Sequence, residues 1–153
     1  MERDNFFMGK AIEEAEEAYR LAEVPVGAVL VDAAGEVLSR AHNMPITSID
    51  PTAHAEILAI RGAAIRVGNY RLPETVMYVT LEPCVMCIGA MLHARIRRLV
   101  YGATDTRSGA AGTVLDLPGA GCFNHRIEIT GGVLGDACAE ILRRFFKERR
   151  EAG

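Results

Sequence analysis

His54-Ala55-Glu56 and Pro83-Cys84-Val85-Met86-Cys87 lie in separate parts of the chain, yet their side chains suit a single metal ion. Any fold that uses them must bring the two segments together. One histidine and two cysteines form a borderline-soft donor set that favours zinc. Structural zinc sites close with a fourth protein ligand, whereas catalytic ones keep that position for water. Glu56 stands two residues from His54, and a carboxylate beside such a water is a natural proton carrier. The spare donors His42, His93, His125 and Cys122 fit no familiar close spacing, so a catalytic zinc is the reading and a structural zinc the alternative.

Helical geometry limits how these residues meet. Positions two apart are separated by about 200° around a helix, so His54 and Glu56 share no lateral face. They can converge beyond the helix start, because side chains lean toward the N-terminus. Cys84 and Cys87, three apart, share a face on a first turn. The simplest arrangement sets two helix N-termini over one metal, where the positive dipole ends favour thiolates. Two thiolates cancel the formal charge of the ion. Water is then acidified less than in a three-histidine site, and Glu56 shares the work.

The rest of the chain reads as alternating helices and strands. Met8, Ile12, Ala15, Tyr19 and Ala22 recur at helical spacing with glutamates between them, predicting an amphipathic helix over 4–22. The apolar run 25–31 and residues 37–41 predict two strands around the Asp32–Gly35 turn. Residues 42–52, with two prolines, read as a loop. A helix is expected from about Ala53 to Val67, with Ile57, Ile60, Ala64 and Val67 inward. Strands are expected at 76–80, 99–101 and 126–130, a short helix from Pro83 to Ala94, and a final helix capped by Asp136. This alternation predicts an α/β domain layered helix/sheet/helix.

Composition narrows the class. A chain of 153 residues fits one domain, 1–153, and no apolar run approaches the roughly 20 residues of a membrane span. The acidic, amphipathic N-terminus is wrong for a secretory signal, so a cytoplasmic protein without membrane association is expected. Cys122 and Cys138 are expected to be buried small hydrophobes rather than a disulfide. The formal net charge of −3 argues against a nucleic-acid partner at first sight. Seven acids against three bases lie within residues 1–23, however, and 15 of the 17 bases are arginine, whose planar fork suits phosphate.

The H-x-E and P-C-x-x-C halves are shared by the zinc nucleobase deaminases. With Glu23–Val29, Asp50–Glu56, Tyr70-Arg71-Leu72, Tyr78–Cys87, Gly109–Thr113, Asn124-His125-Arg126 and the Phe145-Phe146 helix, the chain resembles the bacterial tRNA-specific adenosine deaminases of the cytidine deaminase-like superfamily. That resemblance implies a three-layer α/β/α fold with a mixed five-stranded sheet, one Zn2+ per subunit on His54, Cys84 and Cys87, and a homodimer. It implies hydrolytic deamination of the wobble adenosine in a tRNA anticodon stem-loop to inosine, with Glu56 as the catalytic proton carrier. Asn43, Val26, Ala55 and Asp105 are the implied substrate contacts, and the Asp105 match points to a neighbouring ribose, whose 2′-hydroxyl marks RNA.

Each implied contact has a plainer role. Asn43 can serve a turn before Pro45, and Asp105 can cap a local turn. Phe146, Arg149 and Arg150 are candidate RNA contacts, although a basic helix end also complements the dipole. Thr104 and Ser48-Ile49 replace residues that are more basic in relatives, which implies a shallow salt dependence of RNA binding. The alternative activity is a guanine, cytosine or small-nucleoside deaminase, since PTAHAE also occurs among guanine deaminases. A non-catalytic RNA-binding subunit could dispense with Glu56, which this chain retains.

Overall fold

A computed structural model of the chain describes residues 2–152. It contains α1 (Glu2–Arg20), β1 (Gly27–Val31), β2 (Val37–His42), α2 (Pro45–Ser48), α3 (Ala55–Val67), β3 (Val76–Leu81), α4 (Val85–Ala94), β4 (Arg98–Ala103), β5 (Glu128–Thr130) and α5 (Gly135–Ala152). The strands form one five-stranded sheet in the order β2-β1-β3-β4-β5. β1 runs antiparallel to both β2 and β3, while β3–β4 and β4–β5 are parallel. The mixed sheet expected from the resemblance is therefore present.

Apart from Thr80 and Arg98, the residues of β1, β3 and β4 are apolar, and all but the end residues Leu81 and Arg98 are buried, as expected for strands covered on both sides by helices. The period of two divides them cleanly. Ala28, Leu30, Met77, Val79, Leu99 and Tyr101 face α3 and α4, where they meet Ala59, Ala63, Ile88 and Met91. Val29, Val31, Val76, Tyr78 and Val100 face α1 and α5, against Phe7, Met8, Ala11 and Cys138. Full burial of each large apolar side chain contributes roughly 1.5–3 kcal/mol. The close approach of α1 to the sheet depends on Gly27, because a methyl group there would run into the Ala11 carbonyl and the Ala15 amide.

Several expectations shift. Ala22 and Val67 are exposed rather than inward, because α1 ends at Arg20 and the last turn of α3 runs past the sheet edge. His54 occupies the N-cap position of α3, so that helix starts at Ala55 and not Ala53. The 42–52 loop contains the short helix α2, started by Pro45. Asp136 sits inside the first turn of α5 instead of capping it. Cys138 is buried as expected, but Cys122 is exposed. It lies in a segment rich in glycine and polar residues, 119–126, which has too little apolar surface to fold inward.

Asp4 ties α1 to the sheet. Its carboxylate accepts from Arg98 Nη1 at 2.9 Å and Nη2 at 2.8 Å, and from the Tyr78 hydroxyl at 2.9 Å. The Arg98 guanidinium holds Asp4 below the usual carboxylate range, and burial with Asp4 alongside pushes Tyr78 up to about 12. Asp4→Asn is expected to lower stability at neutral pH by about 1–3 kcal/mol. Because the folded pKa lies below the unfolded one, this contribution is complete above about pH 4 and disappears as pH falls through the folded value. Urea unfolding at pH 7 and in acid checks this: the difference between Asp4→Asn and the parent must shrink in acid, and a pH-independent gap refutes it.

Candidate metal centre and active site

The N-termini of α3 and α4 converge at the end of β3. His54 is the N-cap of α3 (φ −73°, ψ 152°) and Cys84 the N-cap of α4 (φ −81°, ψ 178°), both extended. Their carbonyls accept the first helical bonds, from Leu58 N at 3.1 Å and Ile88 N at 3.0 Å. Neither side chain caps its own helix, so both are available to the site. Cys87 follows one turn into α4 and is buried.

His54, Cys84 and Cys87 offer three donor atoms within 4.8 Å of one another. His54 Nδ1 lies 3.6 Å from Cys84 Sγ and 3.5 Å from Cys87 Sγ. A tetrahedral zinc with Zn–S of about 2.3 Å and Zn–N of about 2.0–2.1 Å requires N···S separations of about 3.6 Å. The cradle therefore fits zinc in distance as well as in donor chemistry. A hydrogen bond from Cys87 and the neighbouring His54 lower Cys84 to about 4, making it a thiolate at neutral pH. Cys87, bonded to that thiolate and buried, is pushed upward.

Glu56 occupies the first turn of α3 and is 3% exposed. Its Oε1 is buried without a hydrogen-bond partner among the described residues. Burial pushes its carboxyl up to about 7. An orphaned buried oxygen is costly in a fold and marks a position whose partner is a substrate or water.

His54, Cys84 and Glu56 line a pocket of about 270 Å³ with Val24, Val26, Asn43, Pro45, Leu81, Glu82, Asp105 and Ser108. The expected residues Val26, Asn43 and Asp105 thus meet the metal ligands. Ala55 stands behind them, fully buried, and its amide donates to Asn43 Oδ1 at 2.8 Å. Asn43 N donates to the Val26 carbonyl at 3.0 Å, so Asn43 engages the backbone on both sides. Asp105 Oδ1 accepts from Arg107 N and Ser108 N, the turn-capping role, while the residue still lines the pocket.

Phe146, Arg149 and Arg150 do not enter this pocket. They line an adjoining cleft of about 700 Å³ with Thr104–Ser108 and Leu142, and the two cavities share Val24, Leu81, Asp105 and Ser108. As the adjacency of the two phenylalanines requires, Phe145 is buried and Phe146 is 44% exposed. Among the described residues Arg143 and Arg144 pair with Glu140 and Glu16, whereas Arg149 and Arg150 pair with no acid.

Three residues were not foreseen from the sequence. Arg107 adds a base to the cleft beside Thr104. Glu23, 1% exposed, accepts from Ile46 N and Thr47 N and so holds α2 at the pocket rim. Glu82, 2% exposed, binds the opposite loop. An acid placed between an apolar strand and Pro83 is the only local sign of the last.

Two helix N-termini that present a His-Cys-Cys cradle over a buried glutamate, at the strand ends of a three-layer α/β fold, define a zinc-dependent deaminase. The family model for the cytidine and deoxycytidylate deaminase zinc-binding region matches residues 1–103. The chain is 49% identical over 150 residues to the tRNA-specific adenosine deaminase of Haemophilus influenzae, covering 98% of this chain and 87% of that one. A solved structure from work on A-to-I editing by tRNA:A34 deaminases superposes with a TM-score of 0.86 at 44% identity, covering 90% of this chain and 99% of the other. A guanine deaminase from Bacillus subtilis is 38% identical with a TM-score of 0.63, over 71% of this chain and 69% of its own. The chain belongs to the cytidine and deoxycytidylate deaminase family and, within it, groups with the tRNA-specific adenosine deaminases.

Zinc at one ion per chain is expected to stabilise the fold by mass action, and a chelator is expected to lower Tm by on the order of 10 °C. Cys84→Ala and His54→Ala should abolish that chelator-sensitive increment, and Glu56→Gln should keep it. Calorimetry with metal analysis reads this directly. A chelator-sensitive increment that survives Cys84→Ala would place the ion elsewhere.

Proposed function

We propose that the chain catalyses hydrolytic deamination of adenosine to inosine at the wobble position of a tRNA anticodon. The observation that carries this reading is the orphaned Glu56 oxygen, buried beside the His54, Cys84 and Cys87 cradle in one pocket. Zinc held by those three residues supplies, when bound, an activated water at neutral pH. The reaction forms a C6–O bond and breaks the C6–N bond, releasing ammonia. Glu56 accepts one proton of the attacking water at its carboxylate and delivers it to N1, then takes the remaining proton from the new C6 hydroxyl and passes it to the leaving nitrogen. Its burial keeps bulk water from competing for those transfers.

Asn43 orients the nucleoside. Its Oδ1 is fixed by the Ala55 amide, which turns the amide nitrogen into a donor for substrate. Val26 lines the base edge of the pocket, the Ala55 backbone supports it from behind through Asn43, and Asp105 takes the neighbouring ribose. The adjoining cleft extends the site beyond the size of a free base, with Arg107, Arg149 and Arg150 for phosphates and Phe146 for stacking. The enzyme works in the cytoplasm as a homodimer of single-domain chains. Among the described residues no helix is long and apolar enough to cross a membrane, and Val85 and Phe123 leave apolar surface near α4 for a second copy. The guanine deaminase likeness keeps free guanine as the second reading.

The test is deamination of an anticodon stem-loop carrying wobble adenosine, with free adenosine, cytidine, cytosine and guanine in parallel. Inosine is expected in the stem-loop alone, and Glu56→Gln is expected to lose about 10²–10⁴-fold in kcat while retaining zinc. Turnover of free guanine with an untouched stem-loop would overturn the RNA assignment. Arg149→Ala and Arg150→Ala should weaken stem-loop binding and each reduce the slope of log affinity against log salt by about one. Unchanged slopes in both variants would remove these arginines from the RNA interface.

A further inference from the structure

We propose that Glu82 is the positioning residue for the substrate-facing loop 104–113, fixing it relative to the metal-bearing end of β3. The proposal rests on the RNA-deaminase reading above. Glu82 immediately follows β3 and precedes Pro83 and the ligand Cys84, so its backbone is anchored to the metal cradle. Its own amide donates to the Ala103 carbonyl at 2.8 Å, and the Pro83 carbonyl accepts from Ala110 N at 2.9 Å.

The side chain is buried, and its carboxylate gathers four donors from one loop. Oε1 accepts from Asp105 N at 3.1 Å and from the Thr113 hydroxyl at 2.5 Å. Oε2 accepts from Ala111 N at 3.0 Å and Thr113 N at 3.1 Å. Among the described residues no Lys, Arg or His forms a salt bridge with it. The negative charge is held by backbone dipoles and one hydroxyl, an arrangement that fixes direction as well as distance. Gly109 lets the loop lie flat on this group, since a Cβ there would come within 2.5 Å of the carboxyl carbon.

The loop has no regular ladder beyond an isolated bridge between Ala111 and Asp116, so its place follows from what binds its amides. Asp105 and Ser108, the residues it presents, line both the metal pocket and the adjoining cleft. Glu56 lies on α3, outside the Glu82 hydrogen-bond set. Loosening the loop therefore weakens the grip on substrate and leaves proton transfer in place.

Glu82→Gln in the zinc-loaded full chain tests this, because the amide nitrogen of Gln would face backbone N–H donors. The zinc content should stay at one per chain. KM for the wobble-adenosine stem-loop should rise about tenfold, with kcat within about threefold. Amide exchange at Asp105, Ala111 and Thr113 should accelerate about tenfold or more, while Leu30 and Val79 in the sheet stay protected. Thr113→Val, which removes a single donor and leaves Glu82 in place, should move the same readouts in the same direction by less. It carries the test if Glu82→Gln fails to fold. Asp105→Ala should raise KM in the parent and add little in the Glu82→Gln background, since both act through one loop.

A fall in kcat at constant KM, loss of zinc, additive effects with Asp105→Ala, or unchanged exchange at the three amides would each overturn the proposal. A parent chain that leaves the stem-loop untouched refutes the RNA reading alone. Exchange then decides for Glu82: acceleration confined to 105–113 supports it, and uniform or absent acceleration overturns it.

Discussion

Two helix N-termini aimed at one small volume concentrate unpaired N–H groups and positive dipole ends, and the rest of this structure answers that concentration. His54 and Cys84 each occupy an N-cap position, yet neither caps its own helix. They turn instead toward the common centre, where a thiolate is favoured by the same dipoles and Cys84 lies far below the ordinary thiol range. Asn43 supplies the missing cap to α3 through its bond to Ala55 N. The metal cradle is in this sense a by-product of where two helices begin. The sheet decides that position, because β3 ends at Leu81, with only Glu82 and Pro83 before Cys84, and the antiparallel β1 begins beside it.

Loops around such a centre carry backbone groups that no strand or helix satisfies. Buried acceptors meet that need on both rims. Glu23 binds the amides of Ile46 and Thr47 on one side, and Glu82 binds Asp105, Ala111 and Thr113 on the other. Burying a carboxylate is unfavourable unless several hydrogen bonds replace its water, and each of these receives them from main chain. For Glu23 those bonds outweigh the desolvation that would raise its pKa, and the carboxyl sits below its usual value. Glu56 is the contrast: equally buried, it keeps an oxygen without a partner and is pushed upward. Among the described residues, two of the three buried glutamates hold the pocket rims, and the third keeps an unpartnered oxygen beside the metal cradle.

Much of this was legible in the sequence. The donor set, Glu56 and the apolar runs of β1 and β3 follow from residue chemistry and short periodicities, and helix starts at the two motif halves follow from the same local signals. Boundaries moved by a residue or two at Ala53 and Asp136, where the choice between cap and first turn depends on distant contacts. Val67 misled because helical spacing marks a face without saying where the sheet beneath it ends. Cys122 misled because the preference of cysteine for burial is an average over sites, and this one lies in a glycine-rich segment where even Phe123 stays exposed.

The sequence by itself determined the His-Cys-Cys donor set, Glu56 as the candidate proton carrier and the layered α/β class, since each rests on short local motifs and on intrinsic residue chemistry. Tertiary structure alone decided the rims. Glu82 meets partners 23 to 31 positions away, and Asp105, Arg107, Phe146, Arg149 and Arg150 form one cleft from two distant segments. Contacts of that kind leave no period in the sequence. They arise when the sheet fixes the strand ends and the loops settle wherever buried acceptors satisfy their amides.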